Sequence, residues 1–223
     1  MTPERSRCLE ELARLVLRVR RPHPVRVAID GPDAAGKTVL ADELASYIGR
    51  SGRPVIRASV DGFHRPRAER MARGTESPEG YYLDSFDYPA LRAALLDPLG
   101  PGGDREFRRC TFDFQTNEPV AAPVEVAQAN AVLVFDGVFL HRPELFDLWD
   151  FTVFVAVTFA ETQRRGAARD AVLLGSEEEA QHRYRVRYVP GQQLYFGRAR
   201  PQEKADVVVD NEDPDRPRMR LAG

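Results

Sequence analysis

The chain has 223 residues, enough for one α/β domain with a sizeable core, and its 43% hydrophobic and 30% charged residues are typical of an ordinary globular protein. Its net charge of −2 argues against a nucleic-acid partner, and no stretch approaches the ~20 apolar residues that a membrane span requires. We therefore expect a single cytoplasmic domain over residues 1–223 that binds a small molecule and contacts neither nucleic acid nor membrane. Assembly into a homo-oligomer is left open.

The predicted elements alternate between helices and strands along the chain. An amphipathic helix over residues 4–20 precedes a β-branched strand over 25–30, after which Leu40, Leu44 and Ile48 recur at helical spacing. Further strands are predicted at 55–60, 131–137, 151–157 and 207–209, and further helices at 89–96, 160–174 and 177–188.

This alternation predicts the fold class, a doubly wound and mainly parallel α/β sheet with its core in residues 25–210. Ligands of such sheets bind beyond the carboxyl ends of the strands. Two segments lie outside the alternation. Residues 61–80 are polar and arginine-rich with little periodicity, and residues 106–114 have the pattern of an extended arm or hairpin.

Residues 31–38 match the phosphate-binding pattern G-x-x-x-x-G-K-[ST] and lie between a predicted strand and a predicted helix. Two glycines allow a tight loop whose backbone N–H groups converge on phosphate oxygens, and the helix N-terminus favours the anion. Lys37 then reaches the β- and γ-phosphates, and Thr38 offers its hydroxyl to Mg²⁺. A glycine-rich turn without a ligand is the alternative. The residues of the predicted nucleotide site are Gly31, Asp33, Ala34, Ala35, Gly36, Lys37 and Thr38.

Three acids, Asp30, Asp61 and Asp136, follow predicted strands that end on one rim of the sheet. Asp136 follows an apolar strand, as expected of a carboxylate that holds Mg²⁺, and capping of the next helix is its alternative role. Asp61 lies where a strand gives way to a polar loop, so it could accept the proton of an acceptor hydroxyl. A turn aspartate is the alternative, because Asp-Gly is a common turn dipeptide.

An ordered set of motifs carries a resemblance to a known family, namely residues 31–38, 59–64, 86–89, 112–114 and 136–137. Over residues 25–210 the chain resembles the uridine kinase (uridine–cytidine kinase) family of P-loop kinases, which is related to phosphoribulokinase and one type of pantothenate kinase. The resemblance implies ATP and Mg²⁺ as cofactors and Asp61 as the catalytic base, and Lys37 is the second expected catalytic residue because it neutralises the phosphates. It also implies that Asp87 binds ribose hydroxyls and that Phe112 and Phe114 contribute rings to the base pocket.

Four positions depart from the family's motifs. Phe112 replaces a tyrosine, the Thr116-Asn117 region replaces a histidine, Asp136 replaces a glutamate and Ala35 replaces a serine. These differences bear on recognition of uracil or cytosine more than on phosphoryl transfer, since loss of a buried polar contact to the substrate changes selectivity strongly.

An extended arm would place Phe112 and Phe114 on one face and Asp113 on the other. The two rings could then sandwich a flat base, with stacking worth ~1–3 kcal/mol per base. Packing of both rings in the core is the alternative. His64, with Arg65 and Arg67, could line the same acceptor pocket or could belong to a solvated loop.

The resemblance also implies a lid over the phosphates, with its arginines in residues 160–188. Arg165 and Arg169 lie one helical turn apart, and Arg169 is favoured over Arg164 and Arg165 as the cation that meets the transferring phosphoryl group. A local ion pair with Glu161 is the alternative for Arg165. We expect a solvated face to be formed by Arg183, Arg185 and Arg187.

Together these features predict ATP-dependent phosphoryl transfer to the 5′-hydroxyl of a pyrimidine nucleoside, uridine or cytidine. The first alternative is transfer to another hydroxylated metabolite, such as pantothenate or a sugar phosphate. The second is a nucleotide-dependent switch without an acceptor; a GTPase is disfavoured because the chain has no Asn-Lys-x-Asp motif.

Overall fold

The computed structural model describes residues 1–221, which form a six-stranded sheet with helices on both faces and a small two-ladder arm. The strands are β1 Val25–Asp30, β2 Val55–Ser59, β3 Glu106–Phe107, β4 Phe112–Asp113, β5 Glu118–Pro119, β6 Glu125–Val126, β7 Val132–Asp136, β8 Phe151–Ala156, β9 Val207–Asp210 and β10 Arg218–Leu221. The helices are α1 Pro3–Arg18, α2 Lys37–Arg50, α3 Arg67–Arg70, α4 Pro78–Asp84, α5 Tyr88–Leu91, α6 Pro143–Phe146, α7 Phe159–Leu174, α8 Glu177–Arg183, α9 Val189–Ala199 and α10 Pro201–Lys204.

The main sheet has the strand order β10-β9-β8-β1-β7-β2, and every neighbouring pair is parallel except β9 and β10. β1 is buried along its whole length, with Val27 opposite Val134 on one side and Phe151 on the other. The nearly continuous apolar sequences of β7 and β8 suit strands that are covered on both faces. The predicted doubly wound, mainly parallel α/β fold is thus confirmed.

Two apolar cores lie on opposite faces of this sheet. On one face, leucines of α1 and α2 such as Leu12 and Leu44 pack against the strands. On the other face aromatic rings dominate, among them Phe63, Phe139 and Tyr195. Within residues 1–221, no helix combines the length and the hydropathy needed to cross a membrane.

The segment 61–80, expected to lack regular structure, contains a 3₁₀ turn at Val60–Phe63 and helices α3 and α4. These elements are too short to show a helical period in the sequence. Ser77 starts α4 by accepting a hydrogen bond from Gly80 N (3.0 Å), so a local cap stabilises this turn.

The C-terminal part of the chain also differs from the prediction. The helix predicted at 177–188 runs through a π-helical turn at Tyr184–Tyr188 into α9, which ends at Ala199. The sheet is closed by β10 and not by residues 207–209, since Met219 pairs antiparallel with Val209. This strand was not predicted because its four residues are two arginines alternating with two apolar residues, too short a pattern to indicate a strand. Short, charged strands of this kind are typical of sheet edges.

The predicted arm consists of two short antiparallel ladders. In the first, β3 pairs with β6, and in the second, β4 pairs with β5 so that Phe112 lies opposite Pro119. The hairpin form of the predicted arm is therefore the one observed.

The packing of α7 on the π-helical turn gives a test of the fold. A Cβ at Gly166 would come within 2.0 Å of Cζ of the fully buried Tyr184, so we expect Gly166→Ala to lower the free energy of unfolding. The expected loss is about 1–3 kcal/mol, because an overpacked ring must displace its neighbours. Urea unfolding followed by circular dichroism measures this loss.

Gly197→Ala is the matched control within α9. No atom lies within 4 Å of the Cβ that it would add, so stability should stay constant or rise by up to ~1 kcal/mol. Equal unfolding midpoints for the two variants would contradict the packing described.

Candidate active site

The phosphate loop forms a tight turn between β1 and α2. Gly36 adopts a φ of +88°, and a Cβ at this position would lie 2.7 Å from Asn211 Nδ2, so only glycine fits. Asn211 Nδ2 also donates to the Ala35 carbonyl (2.7 Å) and so ties the loop to the end of β9. No side chain caps the first turn of α2 and no acid lies in it, which leaves this helix end open to an anion.

Lys37 lies within the loop and is 8% exposed, with its Nζ donating to the Pro32 carbonyl (2.6 Å). Burial lowers the pKa of this ammonium, and the charges of Asp33, Asp30 and Asp136 oppose the shift. The lysine is thus placed in the field of three carboxylates at the base of the loop.

Two acids brace the loop. Asp33 Oδ2 accepts hydrogen bonds from Tyr81 Oη (2.6 Å) and Gln192 Nε2 (2.5 Å). Asp30 is fully buried and accepts from the Tyr195 hydroxyl and from two backbone amides, so it supports the loop and does not line the cleft. The sequence carried no signal for these tyrosines and this glutamine, because α4 and α9 reach the loop only through the tertiary fold.

Thr38 and Asp136 meet directly where the loop faces the end of β7. Thr38 Oγ1 donates a hydrogen bond to Asp136 Oδ2 (2.7 Å). The other carboxylate oxygen, Asp136 Oδ1, lies 2.8 Å from Arg57 Nη2; this contact is an ion pair without the geometry of a hydrogen bond. Asp136 caps no helix, since α6 begins seven residues later, at Pro143. Hydroxyl and carboxylate oxygens are the ligands that Mg²⁺ prefers, so this pair fits the ion. Arg57 was not among the predicted site residues, since its only signal in the sequence is a charge in the middle of a strand.

Asp61 lies in the 3₁₀ turn after β2 and faces the same cleft as Lys37 and Asp136. The residue is accessible to solvent, but protein atoms surround its carboxyl group closely. This burial, together with the charge of Asp136, raises the pKa of Asp61 to about 6, against the opposing charge of Lys37. A carboxylate with a pKa near 6 is matched to proton transfer at neutral pH.

Aromatic side chains cover the cleft beside Asp61. The His64 ring lies 4.5 Å from the Phe86 ring and 4.9 Å from the Phe114 ring, centroid to centroid. Its Nδ1 is 3.0 Å from the Asp61 carbonyl oxygen. Burial lowers the pKa of His64 to about 4, so this ring is neutral at physiological pH. His64, Phe86 and Phe114 all line the cleft.

Two residues assigned to the acceptor lie elsewhere. Asp87 Oδ1 accepts from Ala90 N (2.9 Å) and caps α5, and neither Asp87 nor Phe112 lines the cleft. Phe112 is buried, whereas Phe114 faces the cleft, so the expected pair of rings on one face does not form. The reason is that β4 ends at Asp113, where the chain turns and the two-residue alternation stops.

Arg169 of α7 lines the cleft. It donates to both carboxylate oxygens of Asp170 (2.7 and 3.1 Å) and to Tyr184 Oη (3.2 Å). The hydrogen bonds with Asp170 raise the pKa of its guanidinium, which therefore stays charged. Arg164 and Arg165 both pair with Glu161 (2.6 and 2.7 Å), the local pairing considered for Arg165.

The predicted solvated face is wrong for Arg187, which is 2% exposed and lines the cleft. Its Nη1 donates to the carbonyls of Gly74 and Thr75 (both 3.1 Å). The π-helical turn rotates this side chain inwards relative to the helix that the sequence predicted. Arg183 is half-buried and Arg185 is exposed.

One cleft of about 340 Å³ thus collects most of the predicted site. The phosphate loop, the Thr38–Asp136 pair and Asp61 line this cleft. So do Arg169 and the aromatic wall, which consists of His64, Phe86 and Phe114. Residues of the predicted site that line it are Asp33, Ala34, Lys37, Thr38, Asp61, His64, Phe114, Asp136 and Arg169.

No family model matches the chain. A uridine kinase from Lactobacillus helveticus (strain DPC 4571) is 27% identical to it over 137 residues, which cover 59% of this chain and 61% of that protein. The similarity therefore spans less than two thirds of the length of this relative.

Two solved structures are similar over most of the chain. A possible uridine kinase from Bacillus stearothermophilus has a TM-score of 0.72 at 22% identity, covering 91% of this chain and 97% of that one. A structure solved as a candidate fructose transport system kinase from a Silicibacter species has a TM-score of 0.72 at 20% identity, covering 86% and 95%. The fold is that of the P-loop kinases, and the resemblance to uridine kinases seen in the motifs is confirmed.

The environment of Asp61 makes a spectroscopic prediction. In the protein without nucleotide, one aspartate carboxyl resonance should titrate with a midpoint near pH 6, because burial and Asp136 disfavour its charged form. Carbon-13 NMR of aspartate-labelled protein measures this midpoint, and the resonance should be missing from Asp61→Asn. A midpoint below pH ~4.5 for the assigned carboxyl would show that the cleft does not shift it.

Proposed function

We propose that the protein is a kinase that transfers the γ-phosphoryl group of ATP to a hydroxyl group of a small metabolite. The observation that carries this proposal is the shared cleft of the phosphate loop and Asp61, whose pKa is raised to about 6. A carboxyl group with a raised pKa in a cleft beside a phosphate-binding loop is typical of a functional acid or base.

Asp61 is the proposed general base. It takes the proton of the acceptor hydroxyl as the acceptor oxygen bonds to the γ-phosphorus and the bond from that phosphorus to the β–γ bridging oxygen breaks. The products are a phosphate ester and ADP, so the atoms of both substrates are accounted for. The cleft supplies positioning and charge, which are the main requirements of phosphoryl transfer.

Positive groups meet the phosphates from two sides. Lys37 and the open end of α2 approach from the loop, and Arg169 approaches from the lid. Thr38 and Asp136 would hold Mg²⁺, which neutralises phosphate charge when it is bound.

The first candidate acceptor is the 5′-hydroxyl of a pyrimidine nucleoside. This assignment rests on the motifs shared with uridine kinases and on the similarity to the Lactobacillus protein. The ring wall of His64, Phe86 and Phe114 provides a surface on which a base could stack.

The second candidate is a hydroxylated metabolite without a base. Asp87 caps a helix and Phe112 is buried, so the two side chains implied to contact ribose and base do not line the cleft. This placement favours an acceptor that needs neither contact, within the same reaction.

Replacing the proposed base tests the reaction. Asp61→Asn keeps the shape of the side chain but removes the proton acceptor, so kcat should fall by about 10²–10⁴. The Kd for ATP should change by no more than about twofold, since nucleotide binding does not need this proton transfer. An ADP-release assay with uridine, cytidine, pantothenate and fructose measures the first quantity, and calorimetry measures the second.

Asp147→Asn is the control for removing one surface carboxylate. Asp147 is exposed at the C-terminal cap of α6, outside the cleft, and its replacement should leave kcat unchanged. Full activity of Asp61→Asn would remove this residue from the mechanism. ATP turnover that no acceptor stimulates would favour the switch over the kinase.

A further inference from the structure

Arg70, at the end of α3, is a cation of the cleft without a partner in the described part of the chain. It lines the cleft, yet its guanidinium forms no hydrogen bond and no ion pair with any residue from 1 to 221. Its Nε is buried and unsatisfied. Because buried donors in proteins are almost always paired, a donor left over at a binding cleft points to a partner that the ligand supplies.

The surroundings of Arg70 offer no compensating acid. Its pKa is lowered by burial first and then by the charges of Arg67 and Arg187. Arg187 donates to backbone carbonyls, including that of Arg70 (3.2 Å), and pairs with no acid among the described residues. Arg70 and Arg187 therefore bring to the cleft two guanidinium groups that pair with no carboxylate of the described residues.

Two other arginines, Arg169 in the cleft and Arg57 beside Asp136, behave differently. Arg169 is paired with Asp170, and Arg57 is paired with Asp136 (2.8 Å) and Asp42 (2.8 Å). Among the described residues, Arg57 and Arg169 thus have acidic partners, whereas Arg70 has none. The lack of an acidic partner at Arg70 is therefore not a property of every arginine in this region.

The position of Arg70 associates it with the acceptor. α3 follows His64 closely in the chain and contacts the arm, where Arg67 N donates to Asn117 Oδ1 (2.7 Å). Arg70 lines the same cleft as the rings of His64, Phe86 and Phe114. The arginine whose charge reaches both Lys37 and Asp61 is Arg169.

We propose that the acceptor carries a carboxylate or phosphate group in addition to its reacting hydroxyl, and that Arg70 binds this group. The inference rests on the proposed kinase function and selects the second candidate acceptor, a small hydroxylated acid. A guanidinium presents a planar fork of N–H donors that matches a carboxylate or phosphate, so it both binds the anion and orients the hydroxyl towards Asp61. Arg187 lies behind Arg70 and adds to the positive potential.

Matched acceptors differing only in the anionic group test the proposal. D-Glycerate is compared with glycerol, pantothenate with pantothenol, and fructose 6-phosphate with fructose, with uridine as a neutral nucleoside. The wild-type protein should phosphorylate at least one anionic member with a kcat/KM about 10- to 100-fold above that of its neutral partner, the discrimination expected for a charged hydrogen bond.

Arg70→Gln should remove this preference. Its kcat/KM for the anionic acceptor should fall by about 10- to 100-fold, mainly through KM, while the Kd for ATP stays within about twofold. Arg67→Gln on the same short helix is the matched control and should change neither quantity, because Arg67 is exposed and does not line the cleft. Arg70→Lys should restore part of the preference by restoring the charge.

Several results would overturn the proposal. Preference of the wild-type protein for uridine or another neutral acceptor would leave the kinase intact and refute the anionic acceptor. A weaker Kd for ATP in Arg70→Gln with an unchanged acceptor KM would assign this arginine to the donor. A folded, ATP-binding protein that phosphorylates no acceptor would refute the kinase function as well. If Arg70→Gln fails to fold, the preference of the wild-type protein within the matched pairs still decides whether the acceptor is anionic.

Discussion

The pairing of β7 between β1 and β2 is the constraint on which the site depends. This parallel register sets Asp136 opposite Ile29 on one side and Ser59 on the other. The strand that ends in a metal-ligand candidate is therefore level with the strands that lead into the phosphate loop and the Asp61 turn. A slip of one residue would turn Asp136 to the opposite face of the sheet, away from Thr38. The buried acid Asp30 and the amide of Asn211 then hold the loop against this rim.

Some charged side chains of the cleft are paired with an opposite charge of the protein, whereas others lack such a partner among the described residues and are available to a ligand. Asp136 faces Arg57 and Thr38, and Asp170 faces Arg169. Asp61 forms no ion pair with any described residue, which is why burial and a neighbouring carboxylate raise its pKa. A carboxylate and an arginine that both lack partners among the described residues thus lie in one cleft, as the proposed acceptor with a hydroxyl at one end and an acid at the other would require.

Local patterns explain what could be predicted. The strand, loop and helix over residues 25–50 follow from β-branched residues, two glycines and a leucine repeat, all close in sequence. The apolar sequence of β7 and the aspartate at its end are also local patterns. Because the sheet is parallel, they were enough to predict that Asp136 lies near Thr38. Helical spacing and the family resemblance suggested Arg165 and Arg169, the Glu161 pairing favoured Arg169, and Arg169 lines the cleft.

Other features required contacts between distant segments. Arg187 looked like a surface residue of a charged helix, but the π-helical turn and the backbone carbonyls of residues 74 and 75 bury it. Phe112 and Phe114 share a two-residue spacing, but the strand ends between them. Tyr81 and Gln192 brace Asp33 from helices about 50 and 160 positions further along the chain, a separation that no short-range pattern reports.

By itself, the sequence determined the α/β class, the phosphate loop and the acids at the strand ends, because period, turn chemistry and strand burial are properties of neighbouring residues. Only the tertiary structure decided which side chains are neutralised and which remain unpaired. That outcome depends on distances and burial between segments far apart in the chain, as Arg57 beside Asp136 and the unpaired Arg70 both show.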